Sequence, residues 1–174
     1  MNASKKNSRK LILSDPVKRP LCLRVYPDPV LRKKCAPVTT YDRMIHDLAN
    51  DMLIFMREHK GIGLAAPQVG ILKEIIVADI GLGQICLINP KITHHSGSEK
   101  LEERCLSLPE YFLEIRRNTH ITVSGFDPEG KKVKMEIQGL LARVIQHEID
   151  HLHGTLICDY APLRKGGGIE VLKN

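Results

Sequence analysis

The chain has 174 residues, 43% hydrophobic and 26% charged, enough apolar material for one buried core and far from the bias of a chain that stays unfolded. Aromatic residues make up only 4%, with no Trp, so the core must be aliphatic and the stacking platforms that read single-stranded nucleic acid are scarce. The net charge of +6 is concentrated at the start, where Lys5, Lys6, Arg9, Lys10, Lys18 and Arg19 face only Asp15; the remainder has no broad basic face by count, and DNA is not an expected partner.

Residues 1–20 lack apolar periodicity and end in Lys18-Arg19-Pro20. They read as a flexible basic arm, with residues 21–174 as a single folded domain. Five cysteines, Cys22, Cys35, Cys86, Cys105 and Cys158, are an odd number without a secretory apolar segment, which points to free thiols in a reducing compartment. The longest apolar runs, such as IIVADIGLG after Glu74, are too short to span a bilayer, so no membrane role is expected. The segment YPDPVLRKKCAPV (26–38) holds three prolines and should run extended over the domain.

Asp42 then caps an expected helix over 43–59, with Met44, Ile45, Leu48, Met52, Phe55 and Met56 on the core side. GIGLAAPQVG (61–70) breaks that pattern, since three glycines and a proline in ten residues exclude a helix and let the backbone approach something closely. Strands are expected at 74–80, 85–89 and 91–95, and a further pair at 119–126 and 131–137 joined by a turn at Asp127-Pro128-Glu129-Gly130. A last helix over about 139–153 should end at Gly154 in a left-handed cap. Strands that do not alternate with helices favour an α+β fold over a parallel α/β sheet.

The last helix contains His147, Glu148 and His151. Histidines four residues apart stand on one face, one turn above the other, and can reach a single metal ion, with Glu148 pointing from nearly the same side. The bland alternative is a buried helix whose histidines bond to carbonyls. Leu140, Val144, His147, Glu148 and His151 form one stripe, however, and Leu141, Ile145, Ile149 and Leu152 another, so the helix is apolar nearly all round; three ionisable groups there are costly unless they bind something. A catalytic metal site takes three protein ligands and leaves a position for water. The remaining Cys, His and carboxylates compete for the third place, and Cys105, in the extended or looped EERCLSLPE (102–110), is the preferred one.

Three stretches resemble the motifs of the peptide deformylases, in the same order. Gly61 to Gln68 matches Gly-x-Gly-Leu-Ala-Ala-x-Gln, Glu103 to Ser107 matches Glu-Gly-Cys-Leu-Ser with one departure, and Gln146 to Gly154 matches Gln-His-Glu-x-Asp-His-Leu-x-Gly in full. The similarity runs from about Val25 to about Tyr160. It implies antiparallel or mixed β-sheets packed around a central C-terminal metal-binding helix, with one long N-terminal helix and a catalytic domain over 21–174. It also implies one metal per chain held by Cys105, His147 and His151, Fe(II) physiologically, with Zn(II) or Ni(II) as substitutes.

Carried over in the same way, Glu148 is the general base for a water acidified by the metal, and Gln68 with the backbone N–H of Leu106 donates to the oxyanion. The substrate would be an N-formylmethionyl peptide, paired with Gly61, Ile62 and Gly63 like an added strand. Helical geometry offers Val144 and Leu140 for the methionine pocket, a core-packing role being the alternative for each. Glu103 is a weaker candidate for bracing an arginine or loop near the site, and Asp150 is left open between supporting a ligand and a surface role. A monomer is expected, in the cytoplasm of a bacterium or the matrix of an organelle, with a ribosome contact through the basic arm as a further expectation.

Two positions depart from the pattern. Arg104 stands where the family has glycine, and Phe112 stands where bacterial members often have an arginine. These departures keep open a deformylase-like enzyme with a shifted substrate, other formylated or acylated peptides, and a non-catalytic binding module. A general metallopeptidase sharing only His-Glu-x-x-His fits less well, given Cys105 and the loop ending in Gln68.

Overall fold

A computed structural model describes residues 20–160. The expected arm over 1–20 lies outside the described residues except for Pro20, as do residues 161–174. After a 3-10 turn at Pro29–Arg32 come α1 (Arg43–Glu58), β1 (Gly63–Ala65), a 3-10 turn at Ala66–Val69, β2 (Ile75–Ala78) and β3 (Ile85–Ser96). There follow β4 (Glu99–Cys105), β5 (Leu108–Arg117), β6 (His120–Phe126), β7 (Lys132–Gln138), α2 (Gly139–Leu152) and a 3-10 turn at Ile157–Asp159. The fold is α+β. One sheet has the order β1-β2-β3-β6-β7, and β4 pairs with β5 in a second. Every pairing between these strands is antiparallel, and the parallel contact is an isolated bridge, Ala36 with Lys73; the mixed-sheet alternative falls away.

The large sheet lies between the two helices, and β2 shows why. All four of its residues are buried, because period-two alternation sends Ile75 and Val77 to the α1 side, against Met52, Leu53 and Met56, and Ile76 and Ala78 to the α2 side, against Val144, Ile145 and Ile149. Asp42 caps α1 by accepting the Ile45 amide at 3.1 Å. Met44, expected on the core side, is exposed in the first turn, and Ala49 and Leu53 are buried instead. From Ala142 to Ile149 every residue of α2 is buried, so this helix is packed nearly all round. It ends as expected, with Gly154 at φ 75°, where a Cβ would stand 2.5 Å from the Arg32 carbonyl oxygen.

Other expectations change. The segments 85–89 and 91–95 are one strand, β3, in which Pro90 occupies a register shift between Ile88 and Lys91. Asn89 adopts φ 51° there and ties the irregularity to the chain ahead of α1, accepting from the Val38 amide at 2.8 Å and donating to its carbonyl at 2.8 Å. The glycine-rich segment contains a strand and one turn of 3-10 helix, a tighter geometry that tolerates Pro67 near its start. A 3-10 turn also interrupts the proline-rich stretch, capped by Asp28. Residues 99–117 form a full hairpin. The turn at Asp127–Gly130 closes β6 and β7 as expected, with Asp127 Oδ1 accepting the Glu129 and Lys131 amides at 3.1 and 2.8 Å.

Candidate metal centre

Helix α2 places His147 and His151 one turn apart, and the end of β4 delivers Cys105 to the same point. The Cys105 Sγ lies 3.2 Å from His151 Nε2, which is 3.2 Å from His147 Nε2. One ligand atom from each of the three residues falls within 4.8 Å of the others, and all three residues are buried. A thiol and two imidazole nitrogens converging in this way, on residues that a buried helix and a strand end hold in place, fit a single late divalent cation. One orphaned atom agrees with that fit. Glu148 Oε2 is buried beside the cluster without a hydrogen-bond partner among the described residues, a costly state for a helix that had only to pack, whereas the orphaned His151 Nδ1 belongs to a ring whose other nitrogen, Nε2, meets the cluster. Burial pushes the Glu148 carboxyl up to about 7, against the opposing pull of His147.

Sequence reasoning offered only a weak candidate for what supports the ligands. Glu103, on β4, is buried and accepts from His147 Nδ1 at 3.0 Å. It also accepts from Arg117 Nε and a terminal nitrogen at 2.9 and 3.0 Å and from Arg143 at 2.8 Å. Burial alone would raise its pKa, but the bonds from His147 and Arg117 win and hold it down at about 2. Fixing Nδ1 in this way aims Nε2 of the ring at the ligand cluster. The Asp150 side chain makes no hydrogen bond to a metal-ligand residue among the described residues; it accepts from Arg117 at 2.6 Å and from the Tyr160 hydroxyl at 2.7 Å, and so steadies the arginine that holds Glu103. Arg143 and Arg117 were missed. Arg143 stands one helical turn before His147 in an otherwise apolar helix, which was the available sign.

Around the cluster lies a cleft of about 620 Å³ lined by Gly61, Ile62, Gly63, Gln68, Cys105, Leu106, Leu140, Arg143, Val144, His147 and Glu148, among others. It brings every expected ligand, catalytic and substrate-binding residue to one place except His151, which is fully buried and does not line the cleft; Asp150 and Phe112 do not line it either. Gln68 is buried; its Oε1 accepts the Ala65 amide at 2.8 Å, which turns its Nε2 to Ser107 Oγ at 3.2 Å and Cys105 Sγ at 3.5 Å. A Cβ on Gly63 would stand 2.7 Å from Val144 Cγ1 and run into the Glu148 carboxylate, so glycine is what lets β1 pass this close. Val144 is buried at the floor, whereas Leu140 and Ile62 are about half exposed at the rim, at 52% and 46%.

The two departures from the motif pattern turn out to be neighbours. Arg104 and Phe112 are direct partners in the β4–β5 register, and the Arg104 guanidinium lies 4.8 Å above the Phe112 ring. Arg104 lines the cleft while its side chain stays 65% exposed to solvent.

The polypeptide deformylase family description matches residues 20–166. The chain is 50% identical over 137 residues to a peptide deformylase of Alkaliphilus metalliredigens, covering 79% of this chain and 93% of that protein. The crystal structure of peptide deformylase from Thermotoga maritima superposes with a TM-score of 0.80 at 44% identity, covering 83% of this chain and 99% of the other. That of a peptide deformylase from Synechococcus elongatus, in complex with actinonin, gives 0.80 at 41% identity, covering 86% and 85%.

Proposed function

The chain belongs to the polypeptide deformylase family of hydrolases, and from that premise we propose that it removes the formyl group from the formylmethionine of newly made polypeptides with the residues of the cleft. The observation that carries this reading is Glu148, a buried carboxylate with an unpartnered oxygen, one residue from His147 and facing the backbone of Gly63. Cys105, His147 and His151 would hold one divalent ion, Fe(II) in the cell with Zn(II) or Ni(II) able to replace it. When bound, such an ion polarises the formyl carbonyl and acidifies water.

Glu148 takes a proton from the attacking water as the new carbon–oxygen bond forms. It returns that proton to the methionine nitrogen as the carbon–nitrogen bond breaks, leaving formate and a free amine. Burial favours the protonated form of this carboxyl, which suits a group that must take up the water's proton and hold it for the leaving amine. Gln68 Nε2, already at the rim of the cluster, and the Leu106 N–H donate to the oxygen on which charge develops. Gly61, Ile62 and Gly63 pair with the peptide backbone, and its methionine side chain packs on Val144 with Leu140 at the outer wall.

The protein is taken to act as a monomer in a bacterial cytoplasm or an organelle matrix; among the described residues no helix is long and apolar enough to cross a membrane. A ribosome contact through the basic arm is tested by deleting residues 1–20, and unchanged pelleting with ribosomes at low salt sinks it. A second reading, favoured by Arg104 and Phe112, is a shifted preference for other formylated or acylated peptides. Formate or acetate release from formyl-Met-Ala-Ser, formyl-Ala-Ala-Ser and acetyl-Met-Ala-Ser decides between them. Turnover confined to the first peptide supports the proposal, faster turnover of either other peptide supports the second reading, and no turnover of any by metal-loaded protein leaves a non-catalytic binding module.

A further inference from the structure

Strand β4 pairs with β5 in a two-stranded sheet, so its other edge has no strand beside it among the described residues. Glu102 to Leu106 line the cleft from β4 and its end, and His59 to Gly63 line it opposite. An extended peptide laid along that edge sends successive side chains to opposite faces. With the formyl carbon at Cys105 and Glu148, the methionine side chain takes the inner face, where Glu103 and Cys105 are buried. The next side chain then takes the outer face, which carries the alternate residues Glu102 and Arg104.

The Arg104 cation is held in place. Phe112 lies beneath its guanidinium at 4.8 Å and Glu102 accepts from its Nε at 3.0 Å, while its side chain remains 65% exposed. Its two terminal nitrogens have no hydrogen-bond partner among the described residues, which leaves one edge of the guanidinium open to a carboxylate. Stacking reduces the freedom that binding would otherwise remove. Glu102, the anion paired with this guanidinium, occupies only its Nε edge, and Lys60 lines the same cleft as a second cation.

Resting on the deformylase reading above, we propose that Arg104 is a specificity-determining residue that favours an acidic side chain immediately after the formylmethionine. The test uses formyl-Met-Asp-Ser, formyl-Met-Asn-Ser and formyl-Met-Lys-Ser, all amidated so that no terminal carboxylate competes, with kcat and KM measured for the parent enzyme and for Arg104→Gln and Arg104→Lys. The parent is expected to favour Asp over Asn by about three- to fivefold, as for an exposed ion pair, in KM rather than kcat, with Lys the poorest. In Arg104→Gln the Asp to Asn ratio falls to about one; Arg104→Lys keeps part of it; and high salt compresses the parent's ratio. Equal handling of the three peptides by an active parent overturns the inference alone, as does a ratio that survives in Arg104→Gln. Failure to cleave any of the three removes the deformylase reading and this inference with it.

Discussion

Replacing Glu103 by Gln keeps the side chain's shape and removes its charge from beneath three donors. In the parent, Arg117, Arg143 and His147 all converge on this carboxylate. Its pKa of about 2, against an ordinary 4.5, corresponds at 1.36 kcal/mol per unit to about 3 kcal/mol of stability. Breaking a buried ion pair independently costs about 3–5 kcal/mol. The sign follows from a depressed pKa: the contribution is complete above about 4.5, is lost as pH falls toward about 2, and so is fully present at pH 7. Urea unfolding of the metal-free chain at pH 7 should therefore show Glu103→Gln less stable by about 3 kcal/mol, with the difference narrowing on acidification. His147 also loses the anion that orients it, so metal affinity should fall by about ten- to a hundredfold in a competition titration. A loss below about 1 kcal/mol together with unchanged affinity would refute the role given to this network.

Glu148→Ala should lower kcat for formyl-Met-Ala-Ser by about 10²–10⁴ while metal content per chain is unchanged; activity within tenfold of the parent removes Glu148 from proton transfer. Gly63→Ala puts a methyl group against Val144 and the Glu148 carboxylate, and a displacement of this kind should cost about a hundredfold in kcat/KM. Parent-like kinetics in that variant would show that β1 need not pass so close. Asp42→Ala removes the α1 cap, far from the cleft, and should cost about 1 kcal/mol in thermal or urea unfolding with kinetics unaltered; an equal loss of activity would tie α1 to the site more tightly than its packing suggests.

The parts of this site that were legible in the sequence are those whose chemistry is local. His147, Glu148 and His151 lie within one and a half turns of a helix, so their spacing alone puts them together, and Gly154 marks where that helix must stop. Cys105 was harder, because its strand is disguised. Along β4, alternation places Leu101, Glu103 and Cys105 on one face, but Glu103 is a buried charge, and along β5 the buried partner is Arg117. Each reads as surface until the other is known, and they are bonded across the hairpin. Arg143 was missed for the same reason, since its partner lies on another element. Pro90 divided one strand into two because a proline usually interrupts a ladder, and here a register shift absorbs it. Arg104 and Phe112 drew notice separately as departures from a motif; only the register revealed that they are a pair.

The most direct test of the account is to measure formate release and metal content on the same sample of protein purified without oxygen, for the parent and for Cys105→Ala. The expected result is about one metal ion per parent chain, turnover of formyl-Met-Ala-Ser in proportion to it, and loss of both together in the variant. Turnover that persists in Cys105→Ala after its metal is gone, or a metal-loaded parent that releases no formate, would contradict it.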